Sequence, residues 1–291
     1  MGGAASGLEP LLDIKKKEAI GVVRNAGPML VALSGGVDSA VLLAIAREAL
    51  GPARLLAATG RSPAVTDAEI ADAAEVARRL GVDHRVVDTF ELERPGYRAN
   101  AGDRCFHCRS ELFERMATLA GERGFSAMAY GAITDDLGDH RPGMEAARRM
   151  GVLAPLLMAK IGKSDVRRLA SHYDLHISAK PASACLASRI PVGTAVSPRV
   201  LHQIAEAEAV LARLGFGRVR VRHHGDTARV EVDPPDLPRF QDPPTRDAVL
   251  AGLRSAGFRS VVVDLDGYRQ GGASAPAPRL HSIEPQPDGG Q

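Results

Sequence analysis

The 291-residue chain has no tryptophan, and aromatic residues make up only 4% of it. Its interior must therefore be built from aliphatic side chains and alanine. It also lacks any apolar run near the roughly twenty residues that cross a bilayer, so no transmembrane helix is expected. Residues 1–17 lack the apolar centre of a secretory signal. Gly2 and Ser6 stand where a myristoylation signal would place them, but short Gly/Ala/Ser starts are common and simply disordered. The chain reads as cytoplasmic. A charge excess is missing too, since 37 basic residues face 35 acidic ones for a net +2. Proteins that bind nucleic acid usually carry a stronger basic excess or a clear basic stripe. Small anionic ligands suit this balance better than a long polyanion. Cysteine is scarce: Cys105, Cys108 and Cys185 are an odd number, and a C-x-x-C pair is unlike the disulfide framework of a secreted domain. In a reducing compartment they read as metal ligands or reactive thiols.

What is present is an alternation of short apolar runs and helical patterns. Strands are expected at residues 29–33, 54–59, 84–87 and 127–131, with helices at about 38–50, 67–80 and 110–123. This order predicts an α/β fold, a doubly wound parallel sheet with helices on both faces. Ser164 reads as the N-cap of a helix reaching residue 173. Residues 178–197 hold prolines, one cysteine and little periodicity, as a functional loop between domains does. Ser197 and Pro198 then open a helix to residue 214. A hairpin at 219–223 and 228–232, a helix at 246–256 and a strand at 260–265 complete a smaller α+β unit. The resulting division is a disordered start at 1–13, a first domain at 14–177 and the cysteine-bearing loop at 178–197. A C-terminal substrate or oligomerisation domain at 198–270 and a disordered Gly/Ala/Pro-rich tail at 271–291 follow.

Ser34-Gly35-Gly36-Val37-Asp38-Ser39 lies directly between the first strand and the first helix of this pattern. Its glycines permit positive φ and close backbone approach, so that amide N–H groups point at a phosphate on the helix N-terminus. Ser34 and Ser39 add hydroxyl donors. Asp38 has the wrong charge for a phosphate and the right one for a magnesium ion bridging it. The loop is not a Walker A motif. The one Gly-Lys-Ser, at 162–164, has Leu157 where that motif needs its leading glycine, so it reads as a turn before a helix. A tight turn that binds nothing is the bland alternative, and the full hexapeptide in this setting favours nucleotide binding. It resembles the phosphate loop of the ATP-pyrophosphatase (PP-loop) superfamily. That resemblance implies cleavage of ATP to AMP and pyrophosphate, with activation of a substrate oxygen as its adenylate.

Cys105-Phe106-His107-Cys108 has half the form of a zinc site, but no second C-x-x-C follows and a structural zinc takes four ligands. Cys185 makes a third thiolate, with His107 a candidate fourth ligand. Three thiolates equally suit an iron–sulfur cluster with one iron left open. The alternative is three unrelated small core residues. The polar surroundings of Cys105 and the loop position of Cys185 speak against it. Lys180 and Arg189 would favour the Cys185 thiolate and position an anionic substrate.

Five segments together resemble one family. They are the serine-glycine loop, Asp103-Arg104-Cys105-x-x-Cys108, and Cys185-Leu186-Ala187-Ser188-Arg189-Ile190-Pro191. The others are Asp135-Asp136-x-x-Asp139-x-Arg141-Pro142-Gly143 and Asp264-Leu265-Asp266-Gly267-Tyr268-Arg269. The set resembles the LarE family, ATP-dependent sulfur transferases of nickel-pincer nucleotide cofactor synthesis, over residues of about 14 to 272. The resemblance implies that pyridinium-3,5-biscarboxylic acid mononucleotide is adenylated at each carboxylate and converted to thiocarboxylates. It implies ATP and Mg2+ at Ser34, Gly35, Gly36, Asp38, Ser39 and Asp136, and a catalytic loop of Cys185, Ser188 and Arg189. Glu208, Arg220 and Arg222 match charged positions for substrate phosphate or metal, although a solvated face explains them as simply. Asp135, Asp136 and Asp139 would steer magnesium or form a turn that Arg141 helps close.

Family members with one cysteine at the Cys185 position give up that side-chain sulfur. This sequence is similar to the three-cysteine variety, in which Cys105, Cys108 and Cys185 hold a 4Fe-4S cluster carrying a labile extra sulfide. The cluster is the favoured of the two routes. A homo-oligomer and a sulfur-donor protein partner are also implied. A PP-loop tRNA thiolase and a non-catalytic nucleotide- or iron-sensing module are the competing readings, while amidating relatives would leave the cysteines unexplained.

Overall fold

The computed structural model describes residues 8–138, 142–178 and 184–268. Asp139, Arg141 and Lys180 lie outside the described residues, as does the tail from residue 269. The first element is a helix, α1 (Pro10–Ala26), which the sequence reading left partly inside a disordered start. Pro10 opens it, where a missing N–H costs nothing. Leu12, Ala19, Ile20 and Val23 are spaced to bury one stripe, and Gly27 ends it at φ +86°.

The order then runs β1 (Met29–Ala32), α2 (Val37–Leu50), β2 (Leu55–Arg61), α3 (Asp67–Arg79) and β3 (Asp83–Asp88). The short α4 (Pro95–Ala99) precedes α5 (Arg104–Arg123) and β4 (Ala127–Ala129). Next come α6 (Pro142–Arg149), α7 (Pro155–Met158) and α8 (Lys163–His172). All four strands are parallel in the order β3-β2-β1-β4. Successive residues of β1 and β2 face opposite ways. Met29, Val31, Leu55 and Ala57 join a core formed with α1, α2, α3 and α8. Leu30, Leu56 and Ala58 join a second core with Phe113 and Met116 of α5 and Ala147 of α6. Burial on both faces is what makes these strands continuous apolar runs, and the doubly wound expectation holds.

The chain leaves β1 toward β2 on one side and returns to β4 on the other, so the crevice past β1 and β4 is a topological switch point. The serine-glycine loop occupies it. Gly131, just after β4, approaches so closely that a Cβ there would lie 2.8 Å from the amide nitrogen of Ser39.

Among the boundaries that differ from the sequence reading, two bear on the site. The N-cap of α8 is Gly162 rather than Ser164, and Asp165 at the third helical position accepts from the Gly162 amide at 3.3 Å. Helix α5 starts at Arg104, six residues earlier than expected, so the C-x-x-C pair sits on its first turns. Asp103 stands at its N-cap but makes no side-chain cap bond there.

After the cysteine loop, α9 (Pro198–Arg213) is capped by Ser197, whose Oγ accepts from Val200 N at 3.3 Å. Strands β5 (Val219–His224) and β6 (Thr227–Val232) form a hairpin in which His224 pairs with Thr227, leaving only Gly225 and Asp226 as the turn. Gly225 has φ +62°, as such a tight turn requires. Helix α10 (Pro243–Ser255) leads to β7 (Ser260–Val263), which pairs parallel to β6. These elements enclose their own core of Ala207, Leu211, Val221, Val230 and Leu253. Among the described residues no helix is long and apolar enough to cross a membrane.

Candidate active site

The phosphate loop is closed by its own hydroxyls. Ser39 Oγ donates to Gly36 O at 3.0 Å, accepts from the Ser34 amide at 3.2 Å and lies 3.2 Å from Ser34 Oγ. Gly35 has φ +70°, and a Cβ on it would meet the Glu69 carbonyl oxygen at 2.7 Å. No other residue permits α3 to pack so tightly against the loop. That start of α3 is fixed by a capping box between Thr66 and Glu69. Gly36 is the extended N-cap of α2, so the amides of Val37, Asp38 and Ser39 form its first turn. Such amides have no intrahelical partner and carry the positive end of the helix dipole. The sequence-predicted residues Ser34, Gly35, Gly36, Asp38 and Ser39 are thus brought together.

Sequence reasoning missed Lys163, the first residue of α8. Its Nζ contacts both Asp38 oxygens, at 2.8 and 2.9 Å. The Gly-Lys-Ser at 162–164 is indeed a turn into a helix, yet it also delivers an ammonium to the phosphate loop across 125 positions of sequence. No local pattern announces such a pairing. Asp135 Oδ2 accepts from Lys163 N at 2.9 Å, and a Cβ on Gly162 would strike that same oxygen at 2.9 Å. Asp136 Oδ2 accepts from Ile133 N at 3.0 Å. Asp135 and Asp136 therefore build the turn that seats Lys163. A hard carboxylate beside a helix N-terminus suits magnesium held with phosphate, although Asp38 here has both oxygens on Lys163.

The thiols occupy a second region. Cys185 and Cys108 pack into an apolar cluster of Tyr97, Leu186, Ile190, Val196 and Leu201, while Cys105 is exposed. Asn100 ties the two chain segments together. It is fully buried with φ +52°, donates through Nδ2 to Pro191 O and Thr194 O at 2.8 and 3.0 Å, and accepts from Arg104 at 2.8 Å. Leu186 N bonds Ala64 O at 3.0 Å, which lays the cysteine loop against the chain leaving β2.

Burial pushes the Cys185 thiol up, against the downward pull first of Arg104 and then of Arg189, with Cys105 opposing them. Burial likewise pushes Cys108 far up, reinforced by Glu91 and Cys185. Arg189 thus pulls toward the thiolate, as expected, while burial outweighs it. Arg189 is 3% exposed and forms a two-pronged pair with Glu208 at 2.9 and 3.0 Å. It also donates to the carbonyls of Ala184 and Cys185 and to Ser188 Oγ. Its charge is neutralised locally while its hydrogens shape the loop.

Glu208 Oε1 accepts further from Val221 N at 3.0 Å. Arg222 pairs with buried Glu231 at 3.0 Å through two nitrogens and reaches Ser188 O at 3.1 Å. Glu208 and Arg222 are therefore engaged in clamping the cysteine loop to α9 and β5. Arg220 differs, being half-buried with its guanidinium 5.4 Å from the centre of the Tyr268 ring and one bond to Val219 O. Burial, then Arg189, pulls it below the usual range for arginine.

His107, a candidate fourth ligand, turns elsewhere. Its Nε2 lies 3.1 Å from Asp103, and its ring occupies the space a Cβ on Gly96 would fill. Among the described residues no group of three or more His, Cys, Asp or Glu is disposed to hold a metal ion. Cys108 and Cys185 share one cluster, with the exposed Cys105 one turn before Cys108 on α5, and three free thiols have the soft donor chemistry of an iron–sulfur centre. A surface recess of about 380 Å³ beside Val76 and Tyr173 lies at the amino-terminal edge of the sheet, away from both regions.

Residues 19–93 match the asparagine synthase family model. The chain is 33% identical over 260 residues to the pyridinium-3,5-bisthiocarboxylic acid mononucleotide synthase of Lactiplantibacillus plantarum, covering 89% of this chain and 94% of that protein. It is 36% identical over 242 residues to an uncharacterised protein of Synechocystis, covering 83% and 90% of the two chains. Similarity to the NH3-dependent NAD+ synthetase of Hyperthermus butylicus, at 31% identity, spans only 56% of this chain and 61% of that enzyme. The shorter match fits a shared ATP-handling part, and the longer ones carry through the cysteine loop into the second sheet. The chain belongs to the LarE family, ATP-dependent sulfur transferases of the PP-loop superfamily.

Proposed function

We propose that this enzyme adenylates the carboxylates of pyridinium-3,5-biscarboxylic acid mononucleotide and converts them to thiocarboxylates. The near full-length match to a synthase named for the bisthiocarboxylic acid product carries this reading. A carboxylate oxygen attacks the α-phosphorus of ATP and pyrophosphate leaves. A sulfur nucleophile then attacks the acyl carbon and AMP leaves with the former carboxylate oxygen. The amides of Val37, Asp38 and Ser39 and the Lys163 ammonium stabilise charge on the departing pyrophosphate. Magnesium would be held by Asp38, with Lys163 passing from that carboxylate to the phosphates.

Cys105, Cys108 and Cys185 would hold a 4Fe-4S cluster, which when bound supplies exchangeable sulfide. The residues of the chain do the rest: Arg189 and Ser188 fix the Cys185 loop, and Arg220 beside Tyr268 receives an anionic group of the nucleotide. Arg220 suits that task because, among the described residues, it hydrogen-bonds no carboxylate. A homo-oligomer and a protein sulfur donor belong to the same reading.

Anaerobic protein given magnesium ATP and the biscarboxylate mononucleotide should release pyrophosphate and AMP while the substrate gains the mass of an oxygen-to-sulfur exchange. Pyrophosphate release with no mass change under any sulfur supply would remove the sulfur transfer from this proposal.

A further inference from the structure

The buried stretch of β2, residues 55–59, is apolar except for Thr59, which is 3% exposed. Valine has the same shape and would bring no hydroxyl to satisfy. The hydroxyl is engaged on two sides: it donates to Leu33 O at 2.6 Å and lies 2.8 Å from His84 Nε2. A threonine has one hydroxyl hydrogen, and a carbonyl oxygen can only accept. His84 Nε2 therefore carries the hydrogen of the second bond and donates it to Thr59 Oγ1. The sheet register brings the two together. His84 pairs with Ala57, two residues before Thr59, and alternate residues project from one face. Ala57 joins the core that Ala73, Val76 and Ala77 of α3 cover.

The bonds continue into the phosphate loop without changing direction. Leu33 N donates to Ala58 O at 2.8 Å, and Thr59 holds the oxygen of the same residue, so Leu33 is fixed to β2 through both groups. The carbonyl of Leu33 and the amide of Ser34 belong to one planar trans peptide and point opposite ways. Ser34 N donates to Ser39 Oγ, and Ser39 Oγ donates to Gly36 O. Gly36 O shares its peptide with the N–H of Val37, the first amide of α2. Each hydrogen thus points the same way from His84 through Thr59, the Leu33–Ser34 peptide and Ser39 to Val37. Hydrogen bonds in such a chain polarise one another. The chain ends on a donor at a helix N-terminus, where a phosphate is bound. We propose that His84 and Thr59 are positioning residues for ATP, which set and polarise the phosphate loop through this one-way relay. The assignment deepens the proposed function and rests on the phosphate loop receiving ATP.

The test titrates the full chain and its Thr59→Val, Thr59→Ser, His84→Phe, His84→Gln and Ser39→Ala variants with magnesium ATP in a calorimeter, well below every melting temperature. Thr59→Val leaves the Leu33 carbonyl bare and Thr59→Ser loses a methyl group, so each should melt a few degrees lower. Affinity separates them: Thr59→Val should raise the Kd about tenfold, and Thr59→Ser should stay within about twofold of wild type. His84→Phe should weaken binding about threefold, and His84→Gln, whose amide can donate, should restore it. Wild-type affinity in Thr59→Val, or equal loss in Thr59→Val and Thr59→Ser, overturns the relay. If Thr59→Val does not fold, equal affinity of His84→Phe and His84→Gln overturns it instead. Ser39→Ala tests the loop itself. Weaker binding there beside normal binding by Thr59→Val strikes the relay alone, and normal binding by both removes ATP from the loop as well.

Discussion

The phosphate loop and the thiol centre lie in one chain but are built in opposite ways. At the loop, polar groups are mutually satisfied: Ser39 closes on Gly36 and Ser34, and Asp38 meets Lys163. At the thiols, the buried Tyr97 hydroxyl lacks a hydrogen-bond partner among the described residues, and burial drives both Cys108 and Cys185 toward their neutral forms. In the function proposed above the phosphate loop would receive ATP, and it is preorganised by backbone geometry at a strand end, as electrostatic catalysis requires. The thiol centre, in the same proposal, is a set of donors that a cluster would complete. The difference matches the chemistry asked of each, since ATP arrives carrying its own charge and sulfur must be supplied and replaced.

Removing the Asp38–Lys163 pair attacks the comparison on its satisfied side. Asp38→Ala should lower pyrophosphate release on the order of a hundredfold or more, and thiocarboxylate formation with it. Lys163→Met should do the same with a smaller loss. Full pyrophosphate release by Asp38→Ala would remove magnesium and Lys163 from the account.

The clamp that holds the cysteine loop to α9 and β5 is tested next. Glu208→Ala leaves Arg189 buried without its carboxylate and Val221 N without its acceptor. Breaking such a pair costs about 3 kcal/mol, measured as a drop in the urea midpoint. If stability were unchanged, Glu208 would be a ligand residue rather than a brace.

Acid should expose a gentler asymmetry. Burial depresses His84, His223 and His224 below their ordinary value of 6.5. Each then binds its proton less readily folded than unfolded. Their contribution is full above about pH 6.5 and lost as pH falls toward the folded values. His84 faces Thr59 Oγ1 at 2.8 Å, and Thr59 in turn donates to Leu33 O at 2.6 Å, just ahead of the phosphate loop. Melting temperature should fall by a few degrees between neutral pH and pH 5.5, and less in His84→Gln. A wild-type curve flat across that range would contradict it.

The loop region was the more legible of the two in the sequence. Ser34 through Ser39 form a contiguous signal, and the strands around them are apolar runs that only a doubly buried sheet explains. Lys163 was hidden because its role depends on a contact with Asp38 that is far away in sequence. Helix α1 was passed over because Pro10 and three consecutive lysines mask an apolar stripe set by Leu12, Ile20 and Val23. The cysteines were visible as a set, yet nothing in their spacing shows that Arg189 is neutralised by Glu208. That the Tyr97 hydroxyl has no hydrogen-bond partner among the described residues is a property of packing alone, with no signature in the sequence.

The separation of the two regions is tested most directly by Cys185→Ala, with pyrophosphate and thiocarboxylate measured in the same anaerobic reaction. The account predicts pyrophosphate release close to wild type and thiocarboxylate formation reduced about a thousandfold or more. Thiocarboxylate formed at the normal rate, or both activities falling together, would contradict it.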